Sequence, residues 1–271
     1  MRSILVHISD DACLEGRFQI ALDLARSFDA HLIFLQAISE NIAMPGDIYG
    51  TIATQMLPVV QEQADKLRHK LEQRLQHEDI RWNWVQEVGM ADSRLIAHAA
   101  LNDLVLVGAL APLGSELQPS RLAGALAIHG RTPVMVTPKD ASAFDVAKPA
   151  IVAWNGSVQA SHALRAATGL LCKAESVTLL CVTGEDGAAD FDLTPSEGAE
   201  YLSRHEIACE VLEMPAQGRN PAEILLETAS HRDAGYIVLG AYGHARLFEI
   251  MFGGVTRRIL KNPPIPMVLA H

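Results

Sequence analysis

The hydrophobic positions of this chain fall into short clusters, separated by segments with the spacing of helices. Ten clusters are rich in Val, Ile and Leu and often apolar on consecutive residues, which is typical of strands buried on both faces of a parallel sheet. They occupy residues 3–9, 30–38, 80–88, 103–108, 132–138, 149–155, 175–183, 207–215, 235–240 and 265–271. The same order of five strands is therefore predicted twice along the chain.

The segments between these strands carry helix signals. TPSE at 194–197 and NPAE at 220–223 each combine an N-cap residue, a proline at the first helical position and a glutamate at the third. Between residues 57 and 76, apolar residues recur at steps of three to five on a charged background, which predicts a helix. Ser157 is expected to cap the helix after the sixth strand. Each half therefore predicts a β-α-β-α-β-α-β-α-β order.

Strands that alternate with helices build a doubly wound parallel sheet through right-handed crossovers. We therefore predict an α/β protein with two tandem doubly wound domains, each with a five-stranded parallel sheet. The predicted domains are residues 1–140 and 148–271, and the segment 138–149, with two prolines and few large apolar residues, is the linker. The insertion 39–57 contains Gly and Pro and is predicted to be a long surface loop, a lid or an interaction surface.

Composition indicates the cellular location of the protein and excludes some classes of partner. The chain has 271 residues, of which 49% are hydrophobic and 20% charged, which suits two globular domains. A net charge of -10 argues against a general nucleic-acid binder, which would carry a basic face. No apolar run approaches the roughly 18 residues of a membrane span, and the first residues do not resemble a signal peptide. We therefore expect a cytoplasmic protein without nucleic acid or membrane as a partner.

The cysteines and histidines predict neither a metal site nor a catalytic site. The four cysteines show no C-x-x-C spacing, and Cys172 and Cys181 are expected to be buried apolar thiols. The 11 histidines are scattered, without an H-x-x-x-H pair. Trp82 and Trp84 alternate on one strand and are expected to pack in the core.

The segment from Gly240 to Arg258 combines glycines with basic residues. It follows the fourth strand of the second half, at the end of the sheet where open α/β folds bind ligands. Gly240 and Gly243 let backbone N–H groups approach an anion, and Gly253-Gly254 precede a helix start that favours phosphate. Thr256 adds a hydroxyl. The spacing alone leaves open that these glycines are turn and cap residues without a ligand, because both G-K-[ST] and G-x-G-x-x-G are absent.

The pattern of Gly240, Gly243 and, after nine residues, Gly253 resembles the nucleotide loop of the universal stress protein family. The stretch IVAWNGSVQASHALRAA at 151–167 is similar to that family's first strand, turn and helix. The strand order matches in both halves, so the resemblance implies a tandem member with the adenine nucleotide alpha hydrolase-like, or universal stress protein, fold. Members of this family dimerise and are induced under starvation, oxidative or other stress, and only some of them bind ATP.

The resemblance implies a nucleotide site in the second half. The implied ligand is ATP or another adenine nucleotide, with Mg²⁺ bound alongside it. The residues implied to contact phosphates and ribose are Gly240, Ala241, Gly243, His244, Gly253, Gly254, Val255 and Thr256. Those implied to line the base side are Ala153, Asn155 and Val182. The resemblance also implies that the two domains pack as a pseudo-dimer within the chain, with a homodimer possible beyond that.

Two residues depart from the pattern of ATP-binding members. Asn155 stands where those members carry an Asp near adenine and ribose, although its amide still donates and accepts hydrogen bonds. Gly254 stands where a Ser or Thr usually follows the last loop glycine. Trp154 is expected either to stack on a base or to fill the pocket. In the first half Gly108 matches Gly240 but no glycine follows three residues later, so we expect a structural partner without a nucleotide site.

Three functions compete for these residues. The first is stress response through binding of an adenine nucleotide in the C-terminal domain, without catalytic residues. The second is slow ATP hydrolysis, for which Glu249 is the only carboxylate in the loop. The third is a nucleotide-free interaction module, or a carrier of a small ligand or lipid. The sequence predicts the first and leaves the other two open.

Overall fold

The strands and the described helices follow one another in the predicted order, and the helix predicted between the last two strands falls mostly outside the described residues. The computed structural model describes residues 1–38, 51–110, 121–183, 193–241, 259–260 and 263–271, with only the backbone of 51–56. The first half contains β1 (Ser3–Ile8), α1 (Leu14–Phe28), β2 (His31–Ile38), α2 (Thr51–Leu75), β3 (Arg81–Val88), α3 (Ala91–Ala99), β4 (Leu104–Gly108), α4 (Arg121–His129) and β5 (Val134–Thr137). The second half contains β6 (Ala150–Trp154), α5 (Val158–Leu171), β7 (Val177–Thr183), α6 (Pro195–Ser203), β8 (Cys209–Pro215), α7 (Pro221–His231), β9 (Tyr236–Gly240) and β10 (Met267–Ala270).

All ten strands belong to one sheet, in the order β3-β2-β1-β4-β5-β10-β9-β6-β7-β8. Neighbours within each half are parallel, as predicted, whereas β5 and β10 pair antiparallel, with Val268 opposite Met135. The two five-stranded sheets join edge to edge, which no local sequence pattern predicted. This pairing satisfies the backbone groups of two strands that would otherwise be exposed sheet edges.

The core has two layers, one on each face of the sheet. Because successive strand residues point to opposite faces, Val6 lies in one layer and Leu5 in the other. The first layer packs against α1, α2, α5 and α6, and the second against α3, α4 and α7. Phe34 of the first layer stacks on Trp84 and meets Trp82 edge-on, which confirms that both tryptophans pack in the core.

Three predicted helix starts are confirmed by their hydrogen bonds. Thr194 and Glu197 form a capping box at α6, in which the Thr194 hydroxyl accepts from the backbone N–H of Glu197. Asn220 accepts from the backbone N–H of Ala222 at 2.8 Å and caps α7. Ser157 accepts from Ala160 N–H at 3.2 Å and caps α5. Each bond satisfies an N–H that has no partner within its own helix.

Two expectations need correction. The helix predicted over 57–76 begins at Thr51, so the last residues of the insertion 39–57 are helical, and residues 39–50 lie outside the described part. Cys181 is a buried thiol, but Cys172 is exposed because it is the C-cap residue of α5, where the helix leaves the sheet. None of the helices in the described ranges is long and apolar enough to cross a membrane.

Candidate functional site

The carboxyl ends of β9, β6 and β7 form one edge of the sheet in the second half. β6 lies between the other two strands, and the chain order reverses there, which is where doubly wound sheets bind ligands. Val152 pairs with Val238 and Ala153 with Leu180. This register brings the predicted site residues Ala153, Asn155, Val182 and Gly240 to the same edge.

Gly240 ends β9 in direct contact with the first turn of α5. A Cβ at this position would lie 2.6 Å from the carbonyl carbon of Gln159 and 2.7 Å from the backbone nitrogen of Ala160. These are backbone atoms of a capped helix turn, so they cannot move aside as a side-chain end can. The sequence therefore needs glycine here for close approach between two backbones.

Asn155 is exposed beyond the end of β6. Its Oδ1 accepts hydrogen bonds from the hydroxyl of Ser157 at 2.7 Å and from the backbone N–H of Ser157 at 3.3 Å. The Ser157 hydroxyl in turn caps α5. The oxygen of Asn155 therefore orders the turn between β6 and α5, while its amide nitrogen has no partner among the described residues.

Ala153 and Val182 lie on one face of the sheet, and Trp154 lies on the other. Ala153 and Val182 pack against the core layer that holds Leu239. Trp154 is buried in the opposite layer, and its indole N–H donates to the carbonyl oxygen of Leu193 at 3.3 Å. Of the two roles expected for Trp154, the structure favours filling space below α6 over stacking on a ligand base.

Ala241 is buried and bound on both sides as the chain leaves β9. Its N–H donates to the carbonyl oxygen of Ala270 at 2.8 Å, and its own carbonyl accepts from Nδ1 of His271 at 2.9 Å. His271 was not among the predicted site residues, because no local pattern relates the end of β10 to the end of β9. The start of the predicted loop is therefore fixed by the neighbouring strand.

The other predicted contacts fall outside the described residues. They are Gly243, His244, Gly253, Gly254, Val255 and Thr256, together with Glu249. Their contribution to a nucleotide site remains a prediction.

The corresponding edge of the first half contains a buried ion pair. The guanidinium of Arg17 is fully buried and donates from Nη2 to Oδ2 of Asp11 at 3.0 Å and from Nη1 to Oδ1 at 3.2 Å. Nη2 also donates to the carbonyl oxygen of Ser9 at 3.2 Å. A Cβ on Gly108 would lie 2.5 Å from Nη1 of Arg17, so this side chain fills the space beside the end of β4.

The two edges can be matched residue by residue through the register. Ile4 pairs with Leu104 as Ala150 pairs with Tyr236, and Gly108 contacts Cys13 as Gly240 contacts Gln159. By this match, Arg17 corresponds to Ala163 and Asp11 to Ser157. In the same way, His7 corresponds to Ala153 and Ser9 to Asn155.

His7 belongs to the same buried cluster in the first half. It is almost fully buried, and burial together with the positive charge of Arg17 lowers its pKa from 6.5 to about 3. A neutral imidazole and a paired guanidinium therefore occupy this edge near neutral pH.

The sequence contained a signal for Arg17. The buried face of α1 includes Leu14, Phe18 and Ala21, and Arg17 falls on this face by helical spacing. A charge on an apolar face needs a buried partner. The sequence did not identify that partner, because Asp11 precedes the helix and the contact depends on the turn between β1 and α1.

Comparison with known proteins assigns the second half to a family. The sequence model of the Universal stress protein family matches residues 147–271. No curated protein matches the chain in sequence.

Solved structures of other proteins match essentially the whole chain. A universal stress protein from Archaeoglobus fulgidus is 17% identical, with 99% of this chain and 95% of that chain covered, at a TM-score of 0.73. A functionally unknown protein from Pseudomonas aeruginosa PAO1 is 18% identical, with 100% and 92% covered, at a TM-score of 0.58. At these identities the likeness establishes the fold.

Proposed function

The chain belongs to the universal stress protein family through residues 147–271, and on this premise we propose that it acts in stress response by binding an adenine nucleotide. The proposed ligand is ATP, with Mg²⁺, in the C-terminal half. Asn155, Ala153 and Val182 would contact the nucleoside, and Gly240 and the glycines that follow would contact the phosphates. Ala241 is buried and its N–H and carbonyl are both bonded, so it would hold the start of the loop and would not contact a phosphate.

The observation that carries this proposal is the contact between Gly240 and the first turn of α5. The glycine-rich segment starts at a point where two backbones approach too closely for any side chain. Backbone N–H groups at such a point can reach a phosphate, and the adjacent helix N-terminus favours negative charge. Ala241 is fixed by Ala270 and His271, so the chain enters the loop in one defined direction.

The exposed edge of β6 supports a ligand at the same place. The amide nitrogen of Asn155 is free among the described residues, and Ala163 stands where the first half has Arg17. The second half therefore has no guanidinium at the position that Arg17 occupies in the first. We propose that the first half is a structural partner without a nucleotide.

We also propose that the two halves form a pseudo-dimer within the chain. The antiparallel pairing of β5 with β10 supports it, because the same strand of each half meets its counterpart in the opposite direction. The four cysteines are free thiols, in keeping with the proposed cytoplasmic location.

The test is a calorimetric titration of the purified chain with ATP and Mg²⁺, with mass spectrometry of any ligand that co-purifies. Binding without phosphate release supports a nucleotide sensor, and release of phosphate would support slow hydrolysis instead. If neither heat nor a co-purified nucleotide is found, the proposal fails. The nucleotide-free module or small-ligand carrier would then remain.

A pair of glycine substitutions tests where the nucleotide binds. Gly243→Val should abolish the heat of ATP binding, because it removes a glycine from the proposed phosphate loop. Gly169→Val is the matched control, since a Cβ at Gly169 meets no atom within 4 Å. Equal ATP affinity in the two variants would place the ligand elsewhere.

A further inference from the structure

A groove of about 410 Å³ lies where the two halves meet. The first half contributes the end of α4 and the residues before β5, including Arg131. The second half contributes His162 and Arg165 from α5, Tyr201 from α6, and His271 after β10. A groove of this volume holds a small organic molecule.

The lining of the groove is basic in a chain with a net charge of -10. Arg131 and Arg165 are exposed, and neither has an ion pair or hydrogen bond to another described residue. His162 and His271 add two imidazoles, and the described lining side chains include neither Asp nor Glu, so the α-carboxylate of His271 is the one anionic group among these residues. Two guanidinium groups without a partner among the described residues create a positive potential in the groove, which attracts oxyanions.

The backbone around Arg131 is held in place. Arg131 has a φ of 53°, in the left-handed region that non-glycine residues seldom adopt. The next residue, Thr132, is buried, and its hydroxyl donates to the carbonyl oxygen of Ala99 at 2.9 Å. The start of the Arg131 side chain is therefore fixed at the groove although its end is exposed.

The second half presents the complementary surface on a regular helix. His162 and Arg165 are three residues apart on α5, so their side chains lie on adjacent turns of the same surface. Tyr201 is partly buried and adds an aromatic ring and a hydroxyl. Charged donors beside a ring suit a molecule with an anionic end and an organic body.

We propose that this groove binds a small organic oxyanion, a phosphate or a polycarboxylate with at least two negative charges. Arg131 and Arg165 bind the charge from opposite halves, so the ligand bridges the junction of the two halves. The proposal does not rest on the nucleotide function, because none of the lining residues belongs to the predicted nucleotide site, although His271 also bonds to Ala241 at the start of the loop.

The experiment is calorimetric titration of the full chain at fixed ionic strength with two probes, inorganic pyrophosphate and citrate. Binding of pyrophosphate alone identifies a phosphate ligand, binding of citrate alone a carboxylate ligand, and binding of both the shared oxyanion chemistry. Absence of binding by both probes overturns the proposal.

Three variants assign any binding to the groove. Arg165→Gln and Arg131→Asn should each weaken it about tenfold or more, because each removes one charged donor set. Asn tolerates the left-handed backbone at position 131. Arg204→Gln is the control, since it makes the same charge change at an exposed site outside the groove and should leave affinity within about twofold.

A fourth variant separates the groove from the nucleotide loop. Gly243→Val should leave probe binding to the groove intact. If Gly243→Val abolishes binding while the two arginine variants retain it, the probes occupy the loop and the proposal is wrong. Circular dichroism of each variant confirms that its fold is kept.

Discussion

At the carboxyl end of β4, Gly108 faces the guanidinium of Arg17, whereas at the carboxyl end of β9, Gly240 faces the backbone of Gln159 and Ala160. Both glycines sit at the same point of the same topology. In the first half the adjoining space holds a buried ion pair, and in the second half a small alanine, Ala163, replaces the arginine. The comparison shows that the repeated fold fills the first edge with a buried ion pair that the second edge does not have.

The largest expected effect comes from breaking the ion pair of the first half. Arg17→Ala leaves the carboxylate of Asp11 buried without its partner, which should lower the free energy of unfolding by about 3–5 kcal/mol. Urea unfolding followed by circular dichroism measures this loss.

The control variant introduces, at positions 11 and 17, the residues that the second half has at the matching positions, Ser157 and Ala163. Asp11→Ser combined with Arg17→Ala removes both charges, so its loss should be smaller than that of Arg17→Ala alone. Equal losses would show that the packing volume of Arg17 matters and the charge pair does not.

The second prediction concerns the effect of substituting the two glycines on the free energy of unfolding. Gly240→Ala should lower the free energy of unfolding by about 3 kcal/mol, because its Cβ would overlap backbone atoms of α5. Gly108→Ala should cost less, since its nearest contact is the end of the Arg17 side chain. The loss at Gly108 should also shrink in the Arg17→Ala background, and the loss at Gly240 should not. Chemical unfolding of the four variants measures these losses. A neutral Gly240→Ala would contradict the explanation.

A third prediction concerns acid stability. Burial lowers the folded pKa of His7 from 6.5 to about 3, so the unfolded chain binds more protons between these values, and stability falls as the pH falls. Between pH 7 and pH 5, His7 should contribute a loss of about 2 kcal/mol.

The substitution His7→Ala introduces the residue found in the second half and should remove that contribution. Unfolding midpoints in urea at several pH values measure the slope. His162→Ala, at an exposed position, is the control and should keep the slope of the unchanged protein. An unaltered slope in His7→Ala would mean that another group titrates.

The smallest expected effect concerns ATP binding in the second half. Asn155→Asp supplies the carboxylate that ATP-binding members carry, and it can still accept both hydrogen bonds from Ser157. ATP affinity should rise about tenfold, which is the value of one charge-assisted hydrogen bond. Calorimetry compares the ATP affinity of Asn155→Asp with that of Ser9→Asp, the substitution at the matching position of the first half. Ser9→Asp should leave ATP affinity unchanged. A gain in both variants would argue against a single nucleotide site.

The local elements could be predicted because their causes are local. The caps at Ser157, Thr194 and Asn220 depend on residues two or three positions away, and all three were correct. The exposure of Cys172 was predicted wrongly, because its apolar neighbours suggested burial while the end of α5 turns it outward. The site could be predicted only in part, since the approach of Gly240 to α5 and the bond from His271 to Ala241 join distant segments.

The sequence by itself determined the order of the described strands and helices and the repeat of that order, and it predicted the edge at which we propose that a ligand binds. These follow from hydrophobic period, capping residues and the handedness of crossovers, which act over short distances along the chain. Only the tertiary structure decided that the two sheets join through β5 and β10, and that Arg17 closes the first edge against Asp11. Both depend on which surfaces meet after the elements have formed, because backbone pairing and the desolvation of a charge are decided by neighbours far apart in sequence.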